Sequence, residues 1–201
     1  MKVLSSKFLP KKNNNKSTTN GFSLIELLVV AFLIGVISSF LLINLRVSSR
    51  NRGAVERNAQ VFVSDVRRAQ AMALSGSKFE GAIVCGYGIH FVSTTSYIIY
   101  VGLSGGGTCA LANKYYEAGI DRIFATFLID ALNNNMEFKD SFGDVFFEPP
   151  DPKTYLCSIT TPITCDSTLS ASPLSITIGL KGGICPNDCK TVTINTGGLI
   201  D

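Results

Sequence analysis

Along the chain, a polar opening gives way to one unbroken apolar run and then to patterned segments. Residues 22 to 45 read FSLIELLVVAFLIGVISSFLLINL, with no proline and one charge, Glu26. At 1.5 Å per residue such a run spans about 36 Å, enough for a hydrocarbon core of about 30 Å. From Arg46 the apolar positions thin to a stripe. Val55, Ala59, Phe62, Val66, Ala69 and Ala73 recur at alternating steps of 4 and 3, which marks an amphipathic helix. Arg57, Ser64, Asp65, Arg67, Arg68 and Gln70 fall off the stripe, and Asp65 and Arg68 have the i, i+3 spacing of a helical ion pair. Gly76 is a stop signal. The pattern predicts one helix from 22 to about 75, about 80 Å long. Gly53 softens its junction, and its second half lies against a globular head.

Beyond residue 76 the period shortens to two. In GAIVCGYGIHF, Ile83, Cys85, Tyr87, Ile89 and Phe91 share one strand face. After a turn at Ser93 to Ser96, SYIIYVGL returns with Tyr97, Ile99 and Val101 on one face, so a β-hairpin is expected. GIDRIFATFLIDAL, at 119 to 132, has apolar spacing that fits a helix better than a strand. GDVFFEPPDP is a short strand stopped by prolines, and residues 151 to 173 read as loop. LSITIGL and CKTVTINTG are two more strands, with CPNDC as a turn between Cys185 and Cys189.

Charge sharpens the division. The sequence has a formal net charge of +3, but residues 1 to 20 carry Lys2, Lys7, Lys11, Lys12 and Lys16 and no acid. Without them, 13 basic residues face 15 acidic ones. The basic character belongs to the leader, so the body offers no basic surface for nucleic acid. Positive charge ahead of an apolar run keeps the leader cytoplasmic and sends the rest outward. A cleaved secretory signal would have a shorter apolar region and a small-x-small site, and no Leu-x-x-Cys lipoprotein pattern is present. The six cysteines, Cys85, Cys109, Cys157, Cys165, Cys185 and Cys189, all follow the run. An even count on the outer side points to disulfides, with local bridges 85–109, 157–165 and 185–189 expected from spacing. Zinc would want C-x2-C pairs or several histidines, and the sequence has one, His90.

Glu26 is the anomaly, since a carboxylate in a membrane helix costs a few kcal/mol unless it finds a partner. If the chain were cut between Gly21 and Phe22, Phe22 would carry a cationic amine one turn from that carboxylate. A lysine-rich leader followed by Gly21, Phe22 and SLIELLVV resembles the prepilin signal of type IV pilins and type II secretion pseudopilins. The resemblance implies that a membrane aspartyl peptidase cuts after Gly21 and methylates Phe22, and that Glu26 guides assembly into a filament. NAQVFVSDVRRAQAMALSGS is more loosely similar to the same region of H-type minor pseudopilins and FimT-like minor pilins. Family pilins often carry a helix-kinking proline in the apolar segment, which this run lacks. The resemblance favours strand over helix at 119 to 132. It implies an α+β pilin-like fold, with the long helix packed on an antiparallel, disulfide-stapled sheet. The expected divisions are a cleaved leader at 1–21, a transmembrane half-helix at 22–45, an amphipathic half at 46–76 and an extracytoplasmic head at 77–201. The implied partners are prepilin peptidase, other subunits and an inner-membrane platform.

Catalytic chemistry is not signalled. His90 stands on the opposite strand face from Tyr87 and Phe91, without a nucleophile nearby in sequence, and reads as a solvated strand residue. GLSGGGT lacks the Lys-Ser/Thr ending of a phosphate loop. Asp121, Asp130, Asp140 and Asp144 lack calcium-loop spacing. Tyr115, Tyr116, Phe146 and Phe147 read as core or subunit contacts. No enzyme activity, cofactor or metal is expected.

Overall fold

The computed structural model describes residues 21, 23–76, 79–104, 108–129, 135–150, 153–168 and 172–201. Helix α1 covers Leu24–Leu74 without a break. The chain divides into two compact units, Met1–Leu45 and Arg46–Asp201, and α1 contributes to both.

In the first unit, Leu24–Leu42 is long and apolar enough to cross a membrane, and none of it is buried. In the second, Val55, Ala59, Phe62, Val66, Ala69 and Ala73 are all buried. The stripe combines the small Ala59, Ala69 and Ala73 with the larger Val55, Phe62 and Val66. The helix stops where the glycine is. Ser75 N–H donates to the Ala71 carbonyl and Gly76 N–H to that of Ala73, with Gly76 at φ +58°. That left-handed conformation suits a residue without Cβ.

Nine strands follow among the described residues: β1 (Val84–Ser93), β2 (Ser96–Leu103), β3 (Arg122–Leu128), β4 (Met136–Phe138), β5 (Val145–Glu148), β6 (Lys153–Cys157), β7 (Cys165–Asp166), β8 (Leu174–Leu180) and β9 (Cys189–Ile194). They form two sheets, ordered β3-β2-β1-β5-β6-β7 and β4-β8-β9, where a single sheet was expected. Every pairing is antiparallel, and β1 and β2 make the expected hairpin. The architecture is α+β, consistent with a pilin-like fold.

One core joins the helix stripe to both sheets. Tyr87, Ile89, Tyr97, Ile99, Val101, Val145 and Phe147 meet it from the large sheet, and Met136, Phe138, Ile176, Ile178, Val192 and Ile194 from the small one. Phe62 is central, with ring centroids 5.0 Å from Tyr97, 5.6 Å from Phe138 and 5.9 Å from Phe142. The opposite face of the large sheet carries a second cluster of Ile98, Tyr100 and Phe146, with Tyr116 and Tyr155 against it. Two glycines make room for these rings. A Cβ on Gly88 would lie 2.4 Å from the Tyr100 ring, and one on Gly102 would lie 2.5 Å from that of Phe146.

Several local expectations are corrected. Residues 122–128 are strand, as the resemblance favoured and against their helix-like spacing, for a specific reason. β3 pairs Ala125 with Ile99 but Ile123 with Tyr100, so Phe124 is the extra residue of a bulge. Phe124 then reaches Tyr87 while Phe127 stacks on Tyr97, and a core spacing of three arises within a strand. Residues 130–134, which include Asp130, lie outside the described residues. Within 151–173, read as loop, β6 and β7 extend the large sheet. Ile83 precedes β1 and is exposed rather than on its core face. β8 ends at Leu180, so Cys185 lies in the loop ahead of β9 rather than across a tight hairpin. Asp65 accepts a hydrogen bond from the Tyr97 hydroxyl at 2.6 Å, and Arg68 lies over the Phe124 ring at 5.4 Å, in place of the expected ion pair.

Candidate assembly segment

Glu26 stands in the first turn of α1. Its position follows from how the helix begins. The Ser23 carbonyl accepts from Glu26 N–H at 3.0 Å and from Leu27 N–H at 3.2 Å. Ser23 is therefore the N-cap and Glu26 the third helical residue. Serine followed three positions later by glutamate is the capping-box spacing. The acid also stands in the first turn, at the positive end of the helix dipole. Ser23 was missed in the sequence, although S-x-x-E was there to be seen. Gly21 is exposed and precedes the helix. Phe22, the expected methylation residue, and residues 1–20 of the expected leader lie outside the described residues.

Downstream of Glu26, the described side chains through Leu42 are all exposed. They include Leu27, Leu28, Phe32, Leu33, Ile34, Ile37, Phe40 and Leu41. A monomer in water does not leave such a surface uncovered, because each large apolar side chain gains about 1.5–3 kcal/mol on burial. Lipid or other apolar helices would supply the cover.

In the second unit, all six cysteines are bridged: Cys85–Cys109, Cys157–Cys165 and Cys185–Cys189, with Cα separations of 5.1, 3.9 and 5.2 Å. The first ties the start of β1 to the loop that covers the outer cluster. GGGT, expected to bring Cys109 back, falls mostly on 105–107, outside the described residues.

Two aspartates fasten the same loop. Asp121 accepts from Leu103 N–H at 3.1 Å and Glu117 N–H at 2.7 Å. Burial pushes its carboxyl up, against the opposing pull of those two N–H groups. Asp144 accepts from Tyr116 N–H at 2.5 Å and meets His90 Nδ1 at 2.7 Å. His90 is therefore not the merely solvated strand residue expected, since its ring also lies 4.8 Å from that of Tyr116. Lys114 pairs with Glu148 at 2.5 Å and lies over the rings of Phe146 and Tyr155. Beneath them the Tyr100 phenol is pushed well up, first by burial and then by the charges of Asp144 and Asp121. His90 and Asp144 thus hold a loop to a sheet. Among the described residues, no cluster of three or more His, Cys, Asp or Glu side chains is placed to hold a metal.

Residues 16–42 match the family model described as the prokaryotic N-terminal methylation motif. The match is of the type IV prepilin kind and extends through the exposed apolar part of α1. The comparisons with curated proteins and with solved structures each returned no match.

Proposed function

We propose that this chain is a structural subunit of a type IV pilus or type II secretion-like filament, in the role of a minor pilin or pseudopilin of the H-type group. One observation carries the reading: the methylation-motif match at 16–42 coincides with an exposed apolar helix bearing one carboxylate in its first turn. In this reading the leader at 1–21 is removed by prepilin peptidase between Gly21 and Phe22, and the new Phe22 amine is methylated. Residues 22–45 hold the subunit in the inner membrane, N-terminus inside, while an assembly platform gathers it. The helix at 46–76 and the head at 77–201 stand outside, where the bridged cysteines belong.

The mechanism is assembly rather than catalysis. Apolar side chains of the first unit pack against those of neighbouring subunits. Glu26 meets the Phe22 amine of an adjacent subunit. A buried charge left unpaired is strongly unfavourable, whereas a pair is tolerated. The pair therefore sets how far one helix inserts beside the next, and apolar packing supplies cohesion. The body's slight acidity argues against DNA as the ligand.

Intact-mass and N-terminal peptide mass spectrometry on protein from its native membrane tests the reading. A chain beginning at Phe22 with one added methyl is the expected result. A chain retaining Gly21 and the leader, from cells with active prepilin peptidase, would make the protein an uncut signal-anchored binding protein instead. Abundance in the purified filament separates a minor from a major subunit.

A further inference from the structure

We infer that the open edge of β9, beside α1, takes an extended, acid-bearing segment of a neighbouring subunit as an added strand. The inference rests on the reading that the chain is a filament subunit. Part of this edge is already paired. Thr193 N–H donates to the Asp201 carbonyl at 2.8 Å, Asp201 N–H donates back at 3.0 Å, and Asn195 N–H donates to the Leu199 carbonyl at 3.1 Å. Ile194 and Ile200 form an antiparallel bridge. Residues 199–201 are thus a short outer strand on the side of β9 away from β8. Backbone groups two residues apart on an antiparallel strand point the same way. The N–H and C=O of Thr191 therefore point to that same side, one step beyond Asp201.

At that step α1 and β9 border a cleft of about 440 Å³, with Ala59, Val63, Val192 and Ile200 in its lining and the exposed Thr191 along it. A second cleft, of about 310 Å³, adjoins it, since Glu56 and Lys190 line both, and reaches Arg52 and Cys189. An extended backbone suits this place. It can exchange two hydrogen bonds with Thr191, as Asp201 does with Thr193, and turn alternate side chains to the apolar lining. Charge selects the side chains. Glu56 and Lys190 approach to 3.5 Å and offset each other, and Arg67 donates to the Ile200 carbonyl at 3.2 Å. Asp201 stands at one end and turns an acid away from there. Arg52 stands at the other, with no ion-pair partner among the described residues. An acid on the added strand answers Arg52.

The test is amide hydrogen exchange at Thr191 in the full chain, first in detergent micelles and then in purified filaments. In micelles the amide should exchange as an open one. In filaments it should slow about tenfold, the protection of one added hydrogen bond. Arg52→Glu should remove most of that protection, and Arg52→Lys, which keeps the charge, should retain it. Arg52 is exposed, so neither change disturbs the core of the head. A benzophenone photo-cross-linker at Gln60, which lines the cleft, identifies the occupant. An adduct with an extended segment bearing Asp or Glu is expected. Slow exchange in micelles overturns the inference. So does unslowed exchange in filaments that contain the chain, full protection in Arg52→Glu, or an adduct with lipid or with a neighbour's helix. Purified filaments that lack the chain overturn the filament reading, and the inference falls with it.

Discussion

Residues 24–42 and 55–73 belong to the same helix, and both are rich in apolar side chains, yet those side chains meet different surroundings. In the later stretch six apolar residues form one stripe, and every stripe residue is buried within its own unit. In the earlier stretch they surround the helix, and all are exposed. A stripe can be covered by one sheet. A helix apolar on all sides needs lipid or several other helices. The chain thus completes one half of its helix internally and leaves the other half to its environment. The lone carboxylate falls in the half left open. In the covered half the acids have partners: Glu56 approaches Lys190 to 3.5 Å, and Asp65 holds the Tyr97 hydroxyl.

The sharpest way to break the contrast is a matched pair of substitutions. Phe62→Ala removes a ring packed among Tyr97, Phe138 and Phe142, and should destabilise the head by about 3–5 kcal/mol. Phe32→Ala, in the exposed half, should leave the head's unfolding midpoint unchanged. With no tryptophan in the chain, near-ultraviolet circular dichroism of the tyrosines during denaturant unfolding reads both. Equal losses would mean that the two halves are not energetically separate.

Covalent ties come next. Replacing Cys85 and Cys109 together by alanine opens a bridge with a sequence separation of 24, and should cost about 3.5 kcal/mol. The same change at Cys185 and Cys189, with a separation of 4, should cost about 2 kcal/mol. The order of the two losses, measured by denaturant unfolding, is the test. A reversed order would show that the bridges act on the folded state rather than on the freedom of the unfolded chain.

A smaller effect sharpens the contrast on its polar side. Tyr97→Phe keeps the ring in the core but removes the hydrogen bond to Asp65, and should cost about 1–2 kcal/mol. The bond and burial together push the Tyr97 hydroxyl well above its usual range, with burial the larger cause. Its folded-state value exceeds its unfolded one, so the neutral form is favoured in the fold. That stability is present below the ordinary tyrosine range and is lost as pH rises toward the folded value. The variant should therefore lose less stability than wild type above about pH 10, as denaturation at stepped pH would show.

What could be read from the sequence follows from how local the signal was. The stripe from Val55 to Ala73 and the hairpin of β1 and β2 are written in nearest-neighbour spacing. The bulge at Phe124 is not, because an extra residue in a strand imitates helical spacing until the partner strand is known. β6 and β7 were hidden by prolines on either side of short runs, which made the region look like loop. The fastening of the 108–121 loop was illegible for another reason. His90 and Asp144 are 54 positions apart, and nothing near either one announces the other. Ser23 is the opposite case: its S-x-x-E signal is entirely local, three positions from Glu26.

The smallest expected effect concerns the charges that flank the buried stripe. Glu56 on α1 and Lys190 on β9 approach to 3.5 Å, with each side chain half exposed. Water screens such a pair, and holding two long side chains in one geometry offsets most of the attraction. Glu56→Gln should shift stability by no more than about 0.5 kcal/mol, and less still at high salt. If the variant instead lost as much as Tyr97→Phe, polar ties along the helix would rival the apolar stripe in holding it to the sheets. The covered half would then owe its place to charge as much as to burial. A null result leaves the stripe as the force that binds this half, and makes the exposed, uncharged surface downstream of Glu26 its counterpart, open to partners of the same apolar kind.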